Sequence, residues 1–364
     1  MIAPPKVEYR VTPKLGWPLN VEVDPRIGWP NVPRETLDWP ERATARFMPS
    51  DPPATATPSP TIDIPPGPRR ARFDEDEFSS PVMEDDPPAA ATADRSTTAS
   101  LPAPPHTRIF VVANQKGGVG KTTTSVNLAA ALALGGLSVL SVDLDPQGNA
   151  TTALGVDHPP GTPGTYEVVM SGAALAAHVV DSPEAPNLKV LPATIDLAGA
   201  EIELVSVVAR ESRLLRAIRA YLKEQHADYV FLDCPPSLGL LTLNALVAAN
   251  EILVPIQCEY YALEGVGQLL RNIEMVKAHL NPALDVTTVI LTMYDGRTKL
   301  ADQVAADVRA HFGDKVLRTV IPRSVKVSEA PGYGMTILDY DRGSRGAMSY
   351  LDASRELAER GTPQ

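Results

Sequence analysis

The sequence predicts an α/β protein built on a mostly parallel, twisted sheet with helices on both faces. Strand-like and helix-like segments alternate about seven times from residue 107 onward. The strand-like segments are nearly continuous apolar runs, as in strands that are covered on both faces. Strict alternation of the two kinds of segment is the order expected for a parallel sheet.

The predicted strands are short runs rich in β-branched and apolar residues. They cover residues 108–114, 137–145, 187–193, 229–235, 251–257, 285–295 and 316–322. Helical periodicity begins at Lys121 and ends at the helix-stop pair Gly135 and Gly136. Further predicted helices cover residues 166–180, 200–224, 238–249, 263–280, 301–312 and 346–360.

The first 105 residues differ from the rest in composition. They contain 22 of the 36 prolines and all three tryptophans, each followed by proline, at Trp17, Trp29 and Trp39. The stretch from about 50 to 105 is of low complexity, so it cannot bury enough apolar surface to offset the entropy of ordering it. We expect a disordered arm over 1–105 and an α/β domain over 106–364. The Trp-Pro units are either docking motifs for a partner or sticky residues of a linker.

Composition limits the classes of function. The net charge of -11 argues against a nucleic-acid partner, although it does not exclude a basic patch on one face. Cys234 and Cys258 supply neither a disulfide framework nor metal-ligand spacing, and we expect both to be small buried residues. We find no signal peptide and no apolar run near the roughly 20 residues that span a membrane. We therefore expect a soluble, cytoplasmic protein.

Residues 115–124, QKGGVGKTTT, follow the first predicted strand and open the first helix, which is the context of a phosphate-binding loop. Glycines let successive backbone N–H groups point at phosphates, and the helix N-terminus adds its positive end. Lys121 would neutralise the β- and γ-phosphates, Thr122 would coordinate Mg²⁺ and Thr123 would contact the α-phosphate. The expected cradle consists of Lys116, Gly117, Gly118, Val119, Gly120, Lys121, Thr122 and Thr123.

Three aspartates, Asp143, Asp145 and Asp233, follow or end apolar strands. The carboxyl ends of parallel strands meet at one edge of the sheet, which is where ligands bind in such folds. Mg²⁺ prefers oxygen ligands, and an attacking water needs a hydrogen-bond acceptor. A lone aspartate at such a position is usually a helix cap, but three of them favour a metal-phosphate site.

A second lysine, Lys116, precedes the glycines, and Gln115 occupies the first glycine position of the general G-x-x-x-x-G-K-[ST] pattern. KGGVGKTT resembles the deviant Walker A motif of the ParA/MinD family of P-loop ATPases. In that family the first lysine reaches the nucleotide of a partner subunit. The resemblance therefore implies an ATP-dependent homodimer that encloses two ATP molecules, with Lys116 acting in trans. The alternative is a second phosphate-binding lysine acting in cis.

The resemblance extends from residue 107 to about 360, through VDLDPQGNATTALG and FLDCPPSLGLLTLNAL, and is most specific for the ParA/Soj type of chromosome or plasmid partitioning ATPase. It implies that Asp145 orients the attacking water. It also implies that Asp143 supports the Mg²⁺ shell and that Asp233 binds Mg²⁺ through water. The catalytic set is then Lys116, Lys121 and Asp145. A helix-turn-helix domain is missing from the arm, which favours a chromosomal role.

The resemblance also implies a DNA-binding surface. Its key residues are Arg297 in DGRTKL, and Arg323 and Lys326 in IPRSVKVSEAP. Such residues hold duplex DNA by its phosphates, without reading sequence, across the ATP-bound dimer. Pro322 and Ser324 are expected beside the adenine. The C-terminus is not the basic amphipathic helix of membrane-bound relatives, so we expect no membrane association.

Two functions remain open. The first is a slow ATPase that dimerises on ATP, binds the nucleoid non-specifically and is released when a ParB-type partner stimulates hydrolysis, so that replicated origins move apart. The second is a nucleotide-switched positioning scaffold for another cargo, at a cell pole or division site, in which DNA plays no part. Charge reversal at Arg297 and Lys326 separates them, because only the first function requires these residues for nucleoid localisation.

Overall fold

The computed structural model describes residues 100–260 and 262–362, with the side chains of residues 263–265 outside the description. The expectations for the arm over 1–105, including the Trp-Pro units, lie almost entirely outside the described residues. Within the described residues, no helix is long and apolar enough to cross a membrane.

The described strands form one sheet. They are β1 (Arg108–Val112), β2 (Val139–Asp143), β3 (Val180–Asp181), β4 (Leu188–Leu191), β5 (Tyr229–Asp233), β6 (Glu251–Gln257), β7 (Asp285–Tyr294) and β8 (Val316–Pro322). Their order is β3-β4-β2-β5-β1-β6-β7-β8. All neighbours are parallel except β3 and β4, which are antiparallel. The predicted mostly parallel sheet is confirmed.

Helices connect these strands and cover both faces. Those described are α1 (Lys121–Leu134), α2 (Asn149–Ala153), α3 (Thr165–Met170), α4 (Leu197–Glu203), α5 (Arg213–Glu224), α6 (Leu240–Ala248), α7 (Ala262–His279), α8 (Lys299–Phe312), α9 (Val325–Glu329), α10 (Ile337–Tyr340) and α11 (Arg345–Arg360). The sheet separates two apolar layers. One contains the buried residues of α1 and α11, and the other contains those of α5 to α8.

Successive side chains of the central strand β1 point alternately into the two apolar layers. Phe110 and Val112 of β1 face the layer of α1 and α11, while Val111 faces the opposite layer. The ring of Phe110 stacks on that of Phe231 from β5, with centroids 5.6 Å apart, and Tyr229 stacks on Phe231 at 6.4 Å. These aromatic side chains fix how β1 and β5 pack beneath α1, and so they hold the strand that leads into the phosphate loop.

Two predicted helices are broken in the structure. The helix expected over 166–180 ends at Met170, because the chain turns at Gly172, whose φ is +69°. A 3-10 turn and β3 complete that segment. The helix expected over 200–224 is interrupted between α4 and α5, where Ala209 has a φ of +53°. The β-branched residues Val205, Val207 and Val208 in this interval are poor helix formers, which favours the interruption.

One largely buried ion pair joins β1 to β6, and its arginine also contacts the C-terminal helix. The guanidinium of Arg108 donates from Nε and Nη2 to the two carboxylate oxygens of Glu251 on β6, at 2.7 and 2.6 Å, and both side chains are 13% exposed. Arg108 Nη1 donates to the carbonyl of Leu357 in α11 at 2.9 Å. Two parallel hydrogen bonds of this kind are stronger and more directional than a single exposed pair.

Replacing Glu251 by glutamine should therefore destabilise the domain. The Glu251→Gln change leaves the Arg108 charge buried without a counter-ion, which typically costs about 3 kcal/mol. Urea unfolding followed by circular dichroism measures the difference. Asp181→Asn is the matched control, because Asp181 pairs with Lys189 at the exposed β3–β4 edge and should cost under about 1 kcal/mol. Equal losses in the two variants would contradict a structural role for the Arg108 pair.

Candidate functional site

The segment between β1 and α1 forms an open backbone cradle. Gly118 and Gly120 have φ values of +73° and +85°, a region that residues with a Cβ rarely adopt. A Cβ placed on Gly117 or Gly118 would meet no heavy atom within 4 Å, so other parts of the protein do not crowd this backbone. Gly120 precedes the first residue of α1, which directs the positive end of the helix at that space.

Hydrogen bonds fasten the cradle near its start and near its end to strands β6 and β7. Asn114 Nδ2 donates to the carbonyl of Pro255 on β6 at 2.8 Å, and its Oδ1 accepts from the backbone N–H of Lys116 at 3.0 Å. Near the other end of the loop, Thr292 Oγ1 of β7 donates to the carbonyl of Val119 at 2.9 Å. Asn114 and Thr292 are both buried, so these bonds are shielded from water and keep the loop in position.

The two lysines of the loop have opposite environments. Lys121 is 8% exposed, and its ammonium donates to the carbonyl of Lys116 at 3.4 Å. Burial lowers the pKa of Lys121, and the nearby Asp233 carboxylate opposes that shift. Lys116 has a side chain 38% exposed, and its ammonium lies 4.0 Å from Glu259 Oε2. Lys121 is thus part of its own cradle, whereas Lys116 extends outside it.

Two carboxylates lie side by side at the carboxyl ends of β2 and β5. Asp143 and Asp233 occupy paired positions in the parallel register, and neither is exposed. Thr122 Oγ1 donates to Asp233 Oδ2 at 2.8 Å, while Asp233 Oδ1 is buried with no hydrogen-bond partner. Burial, and then the charge of Asp143, raise the pKa of Asp233 well above its usual range. The unpartnered oxygen, next to an open cradle and a threonine hydroxyl, fits a site for a hydrated Mg²⁺ ion bound to phosphate.

Asp143 differs from Asp233 because its oxygens already accept protein hydrogen bonds. The donors are the backbone N–H of Asp145 at 3.0 Å, and the N–H and Oγ1 of Thr151 at 2.9 and 2.7 Å. Thr151 Oγ1 in turn accepts from the N–H of Ala193 at 3.1 Å. Burial raises the pKa of Asp143 to about 6. Asp143 therefore fixes the loop that carries Asp145.

Asp145 lies at the same edge and is 9% exposed. Its Oδ1 accepts from the N–H of Gln147 at 3.0 Å, and its charge is near enough to act on Lys121 and Asp233. Within residues 100–260 and 262–362, no group of three His, Cys, Asp or Glu side chains could hold a metal ion by itself. Mg²⁺ at phosphate sites takes one or two protein carboxylates, and phosphates and water supply the other ligands.

The three predicted DNA-binding cations lie in the segments that follow β7 and β8, and each pairs with a carboxylate. Arg297 binds Asp295 through Nε and Nη2, at 2.8 and 2.7 Å. Arg323 Nη2 donates to Glu259 Oε1 at 2.7 Å. Lys326 forms an ion pair with Asp341. All three cationic side chains are more than half exposed, as a contact surface requires.

Pro322 and Ser324 line an open depression of about 580 Å³ together with Arg323, Lys326 and the N-terminus of α11. Pro322 ends β8, and β6 and β7 separate β8 from β1 in the sheet. The structure thus places Pro322 and Ser324 in the same depression as Arg323 and Lys326. Cys234 and Cys258 are free and buried, as expected.

Comparison with known proteins gives consistent results. A family model described as an AAA domain matches residues 107–286. The chain is 52% identical over 254 residues to the sporulation initiation inhibitor protein Soj of Bacillus subtilis, a match that covers 70% of this chain and 99% of the relative. It is 50% identical over 253 residues to the chromosome partitioning protein ParA of Caulobacter vibrioides, with 70% and 94% covered.

Solved structures match the same part of the chain. A Mycobacterium smegmatis protein named cobyrinic acid a,c-diamide synthase, with bound ADP and magnesium, is 41% identical with a TM-score of 0.60, covering 70% of this chain and 95% of that one. The septum site-determining protein MinD of Pyrococcus horikoshii, complexed with Mg-ADP, is 27% identical with a TM-score of 0.54, covering 70% and 96%.

Neutralising Asp233 tests the role of the adjacent buried carboxylates of Asp143 and Asp233. In Asp233→Asn, one of two adjacent buried carboxylates is lost, so the ligand-free protein should unfold at a higher denaturant concentration than wild type. The contribution of Mg²⁺ to nucleotide affinity should fall by about tenfold or more, because the unpartnered oxygen is replaced. Nucleotide titration with and without Mg²⁺ measures this contribution. Thr122→Ser, which keeps the hydroxyl donor, is the control. A Mg²⁺ contribution equal to that of wild type would exclude Asp233 from the metal site.

Proposed function

The chain belongs to the ParA/Soj family of chromosome-partitioning ATPases, and from this membership we propose that it acts as an ATP-dependent homodimer that binds DNA without sequence preference. ATP hydrolysis is the activity of the family. The proposal extends to a ParB-type partner that stimulates hydrolysis and releases the protein from DNA. We place the site of action on the nucleoid, in the cytoplasm, and assign this activity to residues 106–364, with 1–105 as a separate extension.

The observation that carries the proposal is the contrast between the two lysines of the loop. Lys121 is buried against its own loop, whereas Lys116 extends from it and is 38% exposed. One lysine is enough to neutralise the β- and γ-phosphates of a bound nucleotide. An exposed second lysine at the rim of the same cradle supports a role at the nucleotide of another subunit, as arginine fingers have in related phosphoryl-transfer enzymes.

Nucleotide and Mg²⁺ binding is supported by two structural neighbours, which contain ADP and magnesium. In this chain, the N–H groups of residues 117–123 would hold the phosphates, and Lys121 would neutralise them. Thr122 Oγ1 and, through water, Asp233 would hold Mg²⁺, which offsets phosphate charge when bound. We propose that Asp143 supports this shell indirectly, because its oxygens are occupied by Asp145 and Thr151.

Asp145 is the acceptor we propose for the attacking water. Its loop is held by Asp143 and Thr151, so the carboxylate is positioned before the nucleotide binds. A carboxylate of this kind orients a water by accepting its hydrogen bond, and turnover stays slow while Lys116 of the second subunit is absent. Hydrolysis would then depend on assembly, which suits a protein whose DNA-bound state must last until a partner arrives.

We propose that the phosphates of DNA are contacted by Arg297, Arg323 and Lys326. They come from adjacent loops at one end of the sheet, and their charges are partly offset by Asp295, Glu259 and Asp341. A single copy therefore presents a weak positive surface. Two copies side by side would double the number of phosphate contacts, which makes affinity depend on the nucleotide that joins them. Pro322 and Ser324 remain candidates for contact with the adenine.

DNA binding should require ATP and fall steeply with salt. We expect random-sequence duplex DNA to bind in the presence of ATP and Mg²⁺, and to bind at least about tenfold more weakly with ADP or without nucleotide. Fluorescence anisotropy across a salt series measures this dependence. Arg297→Glu and Lys326→Glu should abolish binding, while the charge reversal Lys189→Glu at the β3–β4 edge should not. No binding in any nucleotide state would favour the positioning scaffold instead, and binding that ignores nucleotide would contradict the proposed ATP-dependent switch.

Mixing two inactive variants tests the trans role of Lys116. Lys116→Ala keeps Asp145, and Asp145→Ala keeps Lys116, so each variant alone should lack partner-stimulated hydrolysis. In an equal mixture, a heterodimer has one complete site if Lys116 acts in trans. About a quarter of wild-type activity should return, since half of the dimers are mixed and one site in each is complete. Phosphate release measures the rate, and an equal mixture that stays inactive would indicate a role in cis.

A further inference from the structure

The carboxylate of Glu259 lies between the phosphate loop and the proposed DNA surface. Glu259 follows β6, and its carbonyl accepts from the N–H of Ala262, the first residue of α7, at 3.1 Å. The N–H of the preceding Cys258 donates to the carbonyl of Thr292 on β7 at 3.1 Å. This backbone is therefore tied to the strand whose threonine holds the phosphate loop.

This one carboxylate contacts a cation on each side. Oε1 accepts from Nη2 of Arg323 at 2.7 Å, and Oε2 lies 4.0 Å from Nζ of Lys116. Arg323 is itself fixed at its backbone, because its N–H donates to the carbonyl of Tyr294 at 3.0 Å. Lys116 and Arg323 are the residues assigned above to the nucleotide of a second subunit and to DNA phosphate, respectively. Both ligands are anions that must compete with Glu259 for these cations.

The other two carboxylates of the DNA surface are differently placed. Asp295 is two residues from the Arg297 that it binds, and Asp341 binds Lys326 across the depression beside α11. These pairs lie within the DNA surface itself. Glu259 reaches that surface from β6 and also contacts the loop lysine, so among the three it alone bridges the two proposed binding sites.

We propose that Glu259 is a shared counter-ion that restrains both Lys116 and Arg323 in the isolated subunit. It is a positioning residue: it holds the trans lysine at the rim of its own cradle and offsets the charge of one DNA-binding arginine. This restraint lowers the affinity of the single chain for DNA and its tendency to dimerise. The inference rests on the proposed function, since it assigns a common restraint to two residues of that function.

The strength of the restraint is limited, which suits a reversible switch. Each of the three side chains is more than a third exposed, and exposed pairs are weak and screened by salt. Anionic phosphate can therefore displace Glu259 from either cation without a large barrier. A largely buried pair such as Arg108 and Glu251 could not serve in this way, because breaking it would destabilise the fold.

The test is Glu259→Gln, which keeps size and hydrogen-bonding capacity but removes the charge. DNA affinity without nucleotide should rise about threefold to tenfold at low salt, and the slope of log affinity against log salt should steepen by roughly 1, for one more free cation. The ATP concentration that gives half-maximal dimer in sedimentation should fall. Asp181→Asn removes the same charge at the opposite edge of the sheet and should change neither quantity.

Adding Glu259→Gln to two other variants distinguishes an effect that acts through Arg323 from a general effect of removing negative charge. In Arg323→Gln, the added Glu259→Gln change should no longer alter DNA affinity, whereas in Arg297→Gln it should still do so. Equal gains in Glu259→Gln and Asp181→Asn, or a gain that persists without Arg323, would overturn the inference. If wild type with ATP fails to bind DNA, the proposed function fails. The dimerisation measurement then decides by itself whether Glu259 restrains Lys116.

Discussion

The structure depends on the concentration of charge that the parallel register brings to one edge of the sheet. Asp143 and Asp233 are paired residues on adjacent strands, so two carboxylates are buried next to each other as a direct consequence of the fold. Such a pair is costly without cations. Lys121 lies close enough to favour the charged form of Asp233, and Thr151 and Thr122 donate hydrogen bonds to the two aspartates. The phosphate loop, the start of α1 and the end of β2 therefore all supply groups that stabilise the two buried carboxylates.

At the same edge, buried hydrogen bonds hold the cradle in place beside a surface of exposed cations. Asn114 and Thr292 anchor the two ends of the loop from inside the protein, where hydrogen bonds are protected from water. Met293, next to Thr292, has a φ of +52°, a strained conformation for a residue with a side chain. The carbonyl of the next residue, Tyr294, accepts from the N–H of Arg323. A fixed phosphate site is thus linked by backbone to a surface of exposed, weakly paired cations.

Much of this fold and site was predictable from sequence, and the remainder has a common reason. Apolar runs indicate the strands, and QKGGVGKTTT indicates a phosphate loop, because all the residues that form the loop are contiguous in sequence. The break at Ala209 was missed because apolar periodicity continues across it. The partners of Asn114 and Thr292 lie 141 and 173 residues away in sequence, and no local pattern indicates such pairs. Glu259 was missed for the same reason, although its place at the end of an apolar strand was the signal that identified the aspartates.

The acidic net charge and the proposed affinity for DNA are compatible because binding depends on one face of an assembly rather than on the sum of charges. In the single chain, Arg297, Arg323 and Lys326 each have a carboxylate neighbour, so their field at a distance is small. Phosphates at contact distance can replace an exposed carboxylate, since such pairs contribute little free energy. The proposed surface would attract DNA weakly as one copy and much more strongly as two joined copies. The proposed nucleotide-dependent assembly would then control DNA binding without any large change in the fold of either subunit.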